Sequence, residues 1–525
     1  MGIYYNPGNH GFERALNSQI YVDKTGFIEY TNTVLNSEQA YICVSRPRRF
    51  GKSMTAEMLA AYYDKGCDSK EIFQNLKISQ HKEYEKYLNQ YEVIYMDINA
   101  FRNQSQNAME AVENMHKWVI EELQEVYGDV LEKEETKLQT ALYKINKKTG
   151  AQFVIIIDEW DAIFREDKLD EPAQRAYITL LRGLFKDAPS KRFLSLAYMT
   201  GILPIKKYGT ESALNNFDEF TMTGADVFAE YIGFTEQEVL SLCKQYNMDF
   251  EEIKKWYDGY LVGKDLHIYN PKSVVDSIRR KRIANYWTST ENYEALKNYI
   301  SMNFDGLKNE IVKMLAGNKC KVNANKFQND FISFRSKDDI LTLLIHLGYL
   351  SYDMERQEAT IPNEEIKEVF KAAIEDAGWD AVIQSIIASD ELLKATWRGD
   401  EAVVARGIDF VHTANTSLLA YNDENALSCV ISLAYYNAVN EYQIIREMPA
   451  GKGYADLVFL PRKNSDKPAM IIELKWNSSV ADAIEQIKEK EYIKASYHGT
   501  VLNVGINYNK NTKKHECCIE KINMP

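Results

Sequence analysis

The chain has 525 residues, a formal net charge of −13, 26% charged residues and 45% hydrophobic ones. That length exceeds what one hydrophobic core serves, so about three domains are expected. The acidic balance excludes a protein coated in positive charge for bulk nucleic-acid binding. It leaves room for a local basic groove, because phosphate contacts answer to the local field. No apolar run approaches the roughly eighteen residues that cross a bilayer, so no membrane partner is expected. The segment MGIYYNPGNHGFE has neither a charged n-region nor an apolar h-region, and position 6 is Asn where myristoylation wants Ser or Thr. Seven scattered cysteines fit a reducing compartment better than a disulfide framework, and a cytoplasmic location is the expectation. His515, Cys517 and Cys518 lack the second ligand pair of a zinc site.

In chain order, YVDKTGFIEY over 21–30 is uninformative by itself. The first strong signal is YICVSRPRRFGKS over 41–53. A short apolar strand (Tyr41, Ile42, Cys43, Val44) runs into a basic loop, and a helix starts near Lys52 with Met54, Met58, Leu59 and Tyr62 on one side. Strand, loop and helix in that order suit a phosphate: backbone amides point at the anion, Lys52 reaches the β/γ-phosphates and Ser53 takes Mg²⁺. The Walker A pattern wants Gly where Arg46 stands. Gly51, Lys52 and Ser53 are intact, and Arg46, Arg48 and Arg49 add positive charge where a triphosphate would sit. The expected nucleotide contacts are therefore Arg48, Arg49, Phe50, Gly51, Lys52, Ser53 and Met54. A basic surface turn before an ordinary helix is the alternative that this stretch alone would not defeat.

The strand VIYMDINA over 93–100 and two long helices over 105–148, with Gly150 as a stop, lead to FVIIIDEWDAIF over 153–164. An apolar, mostly β-branched run ending in Asp-Glu is the form of a central parallel strand that delivers two carboxylates to its C-terminal edge. As a Walker B pattern it gives Asp158 to Mg²⁺ and Glu159 to the attacking water. The strand between the two motifs in sequence, over 93–98, is the one that P-loop enzymes with an added central strand require. FLSLAYMTGILP over 193–204 is the next strand, with Thr200 placed as a sensor of the γ-phosphate or as the start of a turn. DEFTMTG over 218–224 is a fifth. Arg175 and Arg182 are candidate arginine fingers, although a solvated helix face is the better reading.

The motifs YVDKT, SRPRRFGKS, VIIIDEWD, MTGILPI over 199–205, and WYDGY over 256–260 followed by IYNP over 268–271 closely resemble the bacterial AAA-ATPase-like family that carries a C-terminal nuclease domain. The resemblance covers most of the chain, and RPRRFGKS resembles that family's own form of Walker A. It implies architecture more than a pathway. Downstream, Thr235 and Glu238 form a capping box that opens a helical lid. Trp256, Tyr257 and Tyr260 are expected in core and lid packing, with stacking on adenine open to one of them. Arg279, Arg280, Lys281 and Arg282 read as a solvated helix end. Residues 338–370 read as helix, strand, turn, strand, helix, a winged-helix-like unit taken as a spacer, with Asn363 capping the last helix.

The second constellation lies near the end. EYQIIREMPAGKGYADLVFLP over 441–461 reads as strand, turn, strand, and AMIIELKW over 469–476 as a third strand. Alternation puts Glu473 and Lys475 on one face, and pairing would set Asp456 beside Glu473. Two carboxylates and a lysine are costly to bury without a task. Phosphodiester hydrolysis wants them: Asp456, Glu473 and the Leu474 carbonyl to bind Mg²⁺, and Lys475 to orient water or offset developing charge. The D-x₁₆-E-x-K spacing resembles the PD-(D/E)xK nuclease superfamily, with Ala455 where a Pro is usual. Gln486 on a following helix and Glu424 on an earlier one match positions that the resemblance places in the nuclease site, Glu424 as a metal ligand. A surface ion-pair cluster is the alternative.

The fold expected is α/β: a P-loop ATPase domain with a parallel sheet over 1–230, a helical lid over 231–290, a helical or winged-helix-like linker over 291–390 and a restriction-endonuclease-like α/β domain over 391–525. The function expected is ATP binding and hydrolysis coupled to a Mg²⁺-dependent nuclease acting on nucleic acid, DNA ahead of RNA, with a homo-oligomer compatible. Two other readings stand beside it. One is a nucleotide-switched regulatory or assembly ATPase whose nuclease-like domain only binds, and the other is a signalling ATPase without a nucleic-acid partner.

Overall fold

The computed structural model describes residues 2–524 except 206, 209–210, 213, 264–265, 288–293, 302–305, 328–333, 335, 377–378, 416–423, 451–452, 463–464 and 491–498. Two compact units result: Met1–Glu291 with Lys321–Ile366, and Asn292–Cys320 with Lys367–Pro525.

The first unit is built on five parallel strands: β1 (Tyr41–Ser45), β2 (Glu92–Asp97), β3 (Phe153–Asp158), β4 (Leu194–Gly201) and β5 (Asp218–Phe220), in the order β2-β3-β4-β1-β5. β1, β3 and β4 are buried along their whole length, as near-continuous apolar runs in a sheet covered on both faces must be. Helices α1 (Lys52–Tyr63), α2 (Ala108–Tyr127) and α3 (Leu138–Thr149) follow β1 and β2. Met115, Val119 and Leu123 of α2 join Leu138, Leu142 and Ile145 of α3 in one core with Ile155 and Ile157 of β3. The strand over 93–98 lies at the sheet edge. The strand interposed between the loop strand β1 and the acidic strand β3 is β4, which comes last of the three in sequence. Chain order carries no sheet order, and here the crossovers decide it.

Beyond β5, Phe234–Thr235, Tyr260–Val262 and Leu266–Tyr269 form a small antiparallel sheet, so the expected lid is part strand. Around it stand α4 (Glu236–Tyr246), α5 (Phe250–Tyr257) and α6 (Pro271–Arg280). The Thr235–Glu238 capping box is present in both directions. Helix α7 (Lys337–Leu347), the hairpin of Ser351–Asp353 with Glu358–Thr360, and the Asn363 cap on Ile366 (3.0 Å) follow the order expected over 338–370. This segment is fastened to the first unit. The Leu261 amide donates to the Ser351 hydroxyl (3.0 Å), and the buried Glu365 carboxylate accepts from the Tyr286 and Trp287 amides (2.7 and 3.0 Å).

The second unit holds β6 (Tyr442–Ala450), β7 (Gly453–Pro461), β8 (Ala469–Trp476), β9 (Gly499–Asn509) and β10 (Lys514–Met524), paired in that order. All pairs are antiparallel except β8 with β9. A parallel pair needs a crossover, and helix α9 (Val480–Lys490) lies in it; α8 (Glu424–Ala434) precedes the sheet. Ile484 and Ile487 of α9 pack on Val458, Ile471 and Val501.

Two candidate sites

In the first unit, β1 leads to the loop and Gly51 begins α1 at φ 97°. A Cβ there would meet nothing within 4 Å, so the left-handed backbone, not crowding, calls for glycine. The buried Lys52 Nζ donates to the Pro47 carbonyl (3.0 Å) and stands 3.9 Å from Glu159 Oε1. Burial pulls the Lys52 pKa down, and the carboxylates of Glu159 and Asp158 oppose that.

Arg46 departs from the expectation. Its guanidinium is buried within the fold and donates to the carbonyls of Ser45 (2.9 Å) and Phe220 (3.0 Å), and burial lowers its pKa to about 10. Arg46 therefore ties the loop to β5 and is not positive charge offered to a triphosphate. Behind the loop, Gly348 comes so close that a Cβ would stand 2.7 Å from Pro47 Cβ. Tyr260 donates to the Gly348 carbonyl (2.7 Å) and meets Phe50 edge-on, with ring centres 5.3 Å apart.

The β3 carboxylates are driven apart. Asp158, buried, accepts from Ser53, yet burial pushes its pKa up to about 7. Glu159 follows at φ 51°, with Arg165 Nη2 2.8 Å from its Oε2. Burial would raise Glu159, but Lys52 and Arg165 together hold it below the usual carboxylate range. Asp161 accepts from the amides of Ile202 (3.1 Å) and Leu203 (2.9 Å). Thr200 is buried on β4, one position past the Ile157–Met199 pair, which sets it beside Asp158.

Two cavities meet here. One of about 350 Å³ is lined by Arg48, Arg49, Gly51, Lys52, Ser53, Met54 and Glu159. The other, of about 600 Å³, shares Arg49, Gly51 and Met54 and is mainly apolar, with Ile20, Val22, Met58, Phe234 and Val275 on its walls. Sequence reasoning missed Arg165, Ile20, Val22, Phe234 and Val275. It also left Arg279 in solvent, whereas α6 carries Arg279 to the wall of the larger cavity. Arg165 had a legible signal in its position four residues after Asp161, which places both on one face of a short helix. Tyr257 and Tyr260 are fully buried, and neither they nor Trp256 line either cavity. Arg175 pairs on the surface with Glu171 (3.1 Å), and Arg182 is exposed.

In the second unit, Leu457 pairs with Ile472, so the same register sets Asp456 against Glu473. The Leu474 amide donates to Asp456 Oδ2 (2.7 Å). Lys475 Nζ is 3.5 Å from Glu473 Oε1 and donates to Gln486 Oε1 (2.5 Å), and the Gln486 amide donates to Glu473 in turn. Burial first, then Asp456, pushes the Glu473 pKa up to about 7, against the pull of Lys475. Glu473 Oε2 is buried without a hydrogen-bond partner among the described residues. The Glu424 side chain lies outside the described residues. Among those described, no group of three or more His, Cys, Asp or Glu is placed to hold a metal. His515 is taken up by Asp409 (2.7 Å). No helix among the described residues is long and apolar enough to cross a membrane.

Comparisons with known proteins match two stretches of the chain. Residues 10–210 match the family described as predicted AAA-ATPase, and residues 422–517 match the PD-(D/E)XK nuclease superfamily. A curated relative, an uncharacterized protein in the vnfD 5′ region of Azotobacter chroococcum mcd 1, is 22% identical over 280 residues, 51% of this chain and 50% of that protein. The chain thus spans about half the length of that relative. Similar solved structures include the replication initiator DnaA bound to AMPPCP and single-stranded DNA (TM-score 0.27, 12% identity, 69% of this chain and 91% of that one). Another is Cdc6p from Pyrobaculum aerophilum (TM-score 0.26, 9% identity, 70% and 98%). On the two family matches, this chain carries an AAA-ATPase-like domain in its first half and a PD-(D/E)XK nuclease-superfamily domain near its end.

Proposed function

We propose that the first unit binds and hydrolyses ATP and that the second cleaves phosphodiester bonds in nucleic acid, DNA ahead of RNA, with Mg²⁺. The observation that carries the reading is the β7–β8 register, which sets Asp456 against Glu473 with Lys475 on the Glu473 face. A buried carboxylate with one oxygen unpartnered among the described residues, raised to about 7 beside a second carboxylate, is a group whose charge a divalent cation would compensate. The donor set fits Mg²⁺: Asp456 and Glu473 would hold it, and the metal would supply polarisation of the phosphate and a more acidic water. Lys475, positioned by Gln486, would offset charge developing on the phosphate.

In the first unit, the polar cavity fits the phosphates and the apolar one a nucleoside. Lys52 and Arg48 would neutralise the phosphates, with Arg49, Phe50, Gly51 and Met54 around them and Thr200 close behind. Ser53 and Asp158 would hold Mg²⁺, and the hydrogen bond between them supports a shared ion. Glu159 would orient the attacking water once a γ-phosphate replaces it as the partner of Lys52. The locked state of Glu159 also favours the second reading, a nucleotide switch whose nuclease-like unit only binds.

Plasmid incubated with Mg²⁺, with and without ATP, decides between them. Wild type is expected to cleave, and Lys475→Ala to cleave at least about 100-fold more slowly. Cleavage that survives this substitution would refute the assigned site. ATP turnover without cleavage of any DNA or RNA would favour the switch.

A further inference from the structure

The second unit holds another cavity, of about 380 Å³, that neither site uses. Its floor is one face of the β6–β7 hairpin, where Tyr442, Ile444 and Arg446 stand opposite Pro461, Phe459 and Leu457. Leu457 and Phe459 line it, and side chains alternate along a strand, so Asp456 points from the other face of β7. The cavity and the carboxylate pair thus lie on opposite sides of one sheet.

Lys367, Arg446 and Arg462 line this cavity, and none of its described lining residues is acidic. Three cationic residues thus share one wall in a chain of net charge −13. Arg446 is held in place by the Ala316 carbonyl (2.6 Å) and the Ser432 hydroxyl. A guanidinium already fixed in orientation loses little freedom when it meets a phosphate. The wall behind it is aromatic: the Phe459 ring packs on Tyr435 (5.6 Å between centres) and Tyr442 (5.9 Å). Tyr436, half-buried on the rim, offers an aromatic surface for a base. The volume falls within the roughly 300–1,000 Å³ of small-molecule sites.

We propose that this cavity binds one nucleotide, its phosphate on Arg446, Lys367 and Arg462 and its base against Tyr436. The site is separate from the P-loop and from the carboxylate pair, and it does not depend on whether the latter cleaves. The same chemistry comes from a free nucleoside monophosphate or from the phosphorylated end of a strand.

The test uses the full chain carrying Lys52→Ala, in EDTA so that no cleavage occurs. Calorimetric titrations are run with AMP, with a 5′-phosphorylated dinucleotide and with the same dinucleotide lacking the phosphate. Binding of AMP, weakened at least tenfold by Lys367→Gln with Arg462→Gln, supports a free nucleotide. Binding of the phosphorylated dinucleotide alone, with the same loss, supports a strand end. Arg462→Lys keeps the charge and should retain binding within about threefold. If the double variant fails to fold, Arg462→Gln alone and a salt series decide, since a phosphate contact weakens as salt rises. The proposal is overturned if neither probe binds, if the phosphate makes no difference, or if binding survives removal of the charges or is indifferent to salt.

Discussion

The two candidate sites share a motif of physics and differ in how they resolve it. Each has a buried carboxylate pushed to about 7, Asp158 in one and Glu473 in the other, at a strand bounded by a parallel neighbour. In the first unit the adjacent acid, Glu159, is held down by Lys52 and Arg165, so the two carboxylates titrate far apart. In the second, Glu473 faces Asp456 with Lys475 and Gln486 as its close partners, and one of its oxygens has no hydrogen-bond partner among the described residues. Environments that separate two acids assign them different tasks, and environments that crowd them ask for a shared cation.

The largest effects should come from the two lysines, and they should not cross over. Lys52→Ala is expected to weaken ATP binding by at least about 100-fold while leaving ATP-independent plasmid nicking intact. Lys475→Ala should do the reverse. Equilibrium ATP binding and a gel assay on the same two proteins measure both arms. Loss of both functions in either variant would break the comparison.

Two of the three loop arginines should differ in kind. Arg46→Ala removes a buried cation from two carbonyls and should cost about 2–3 kcal/mol in denaturant unfolding. Arg48→Ala, on the cavity wall, should weaken ATP binding about tenfold and leave the unfolding midpoint nearly unchanged.

Acidity links the two sites. Asp158 and Glu473 are both raised above their unfolded values, so their support for the fold is complete below about pH 4 and is lost as pH rises through about 7. Without Mg²⁺, the thermal midpoint is therefore expected to fall between pH 5 and pH 8, and Mg²⁺ should restore more of it at pH 8 than at pH 5. Cleavage should rise about tenfold from pH 6 to pH 8 as Glu473 ionises. The smallest effect is expected at Arg175, where Arg175→Ala should change stability by less than about 0.5 kcal/mol and leave ATP turnover unaltered.

What was legible in the chain follows the reach of each signal. The runs at 41–44 and 153–157 declare buried parallel strands because four or five apolar residues in a row have no solvent face to offer. Glu473 and Lys475 were legible as one strand face because alternation is a local rule, whereas Gln486 came only from the resemblance. Arg46 was misread because its partner, the Phe220 carbonyl, lies 174 residues away. Ile20, Val22 and Val275 form a cavity wall only after folding, and nothing in their spacing marks them. The edge position of β2 was hidden for the same reason, since sheet order is settled by crossovers and not by sequence.

The most direct test of the second site is Mn²⁺ binding, followed by electron paramagnetic resonance on the Lys52→Ala chain without nucleotide. One ion per chain is predicted at pH 8, weakened at least tenfold at pH 6 and lost in Glu473→Gln. Mn²⁺ that binds equally at both pH values and in Glu473→Gln would contradict the assignment of Asp456 and Glu473 as a metal-holding pair.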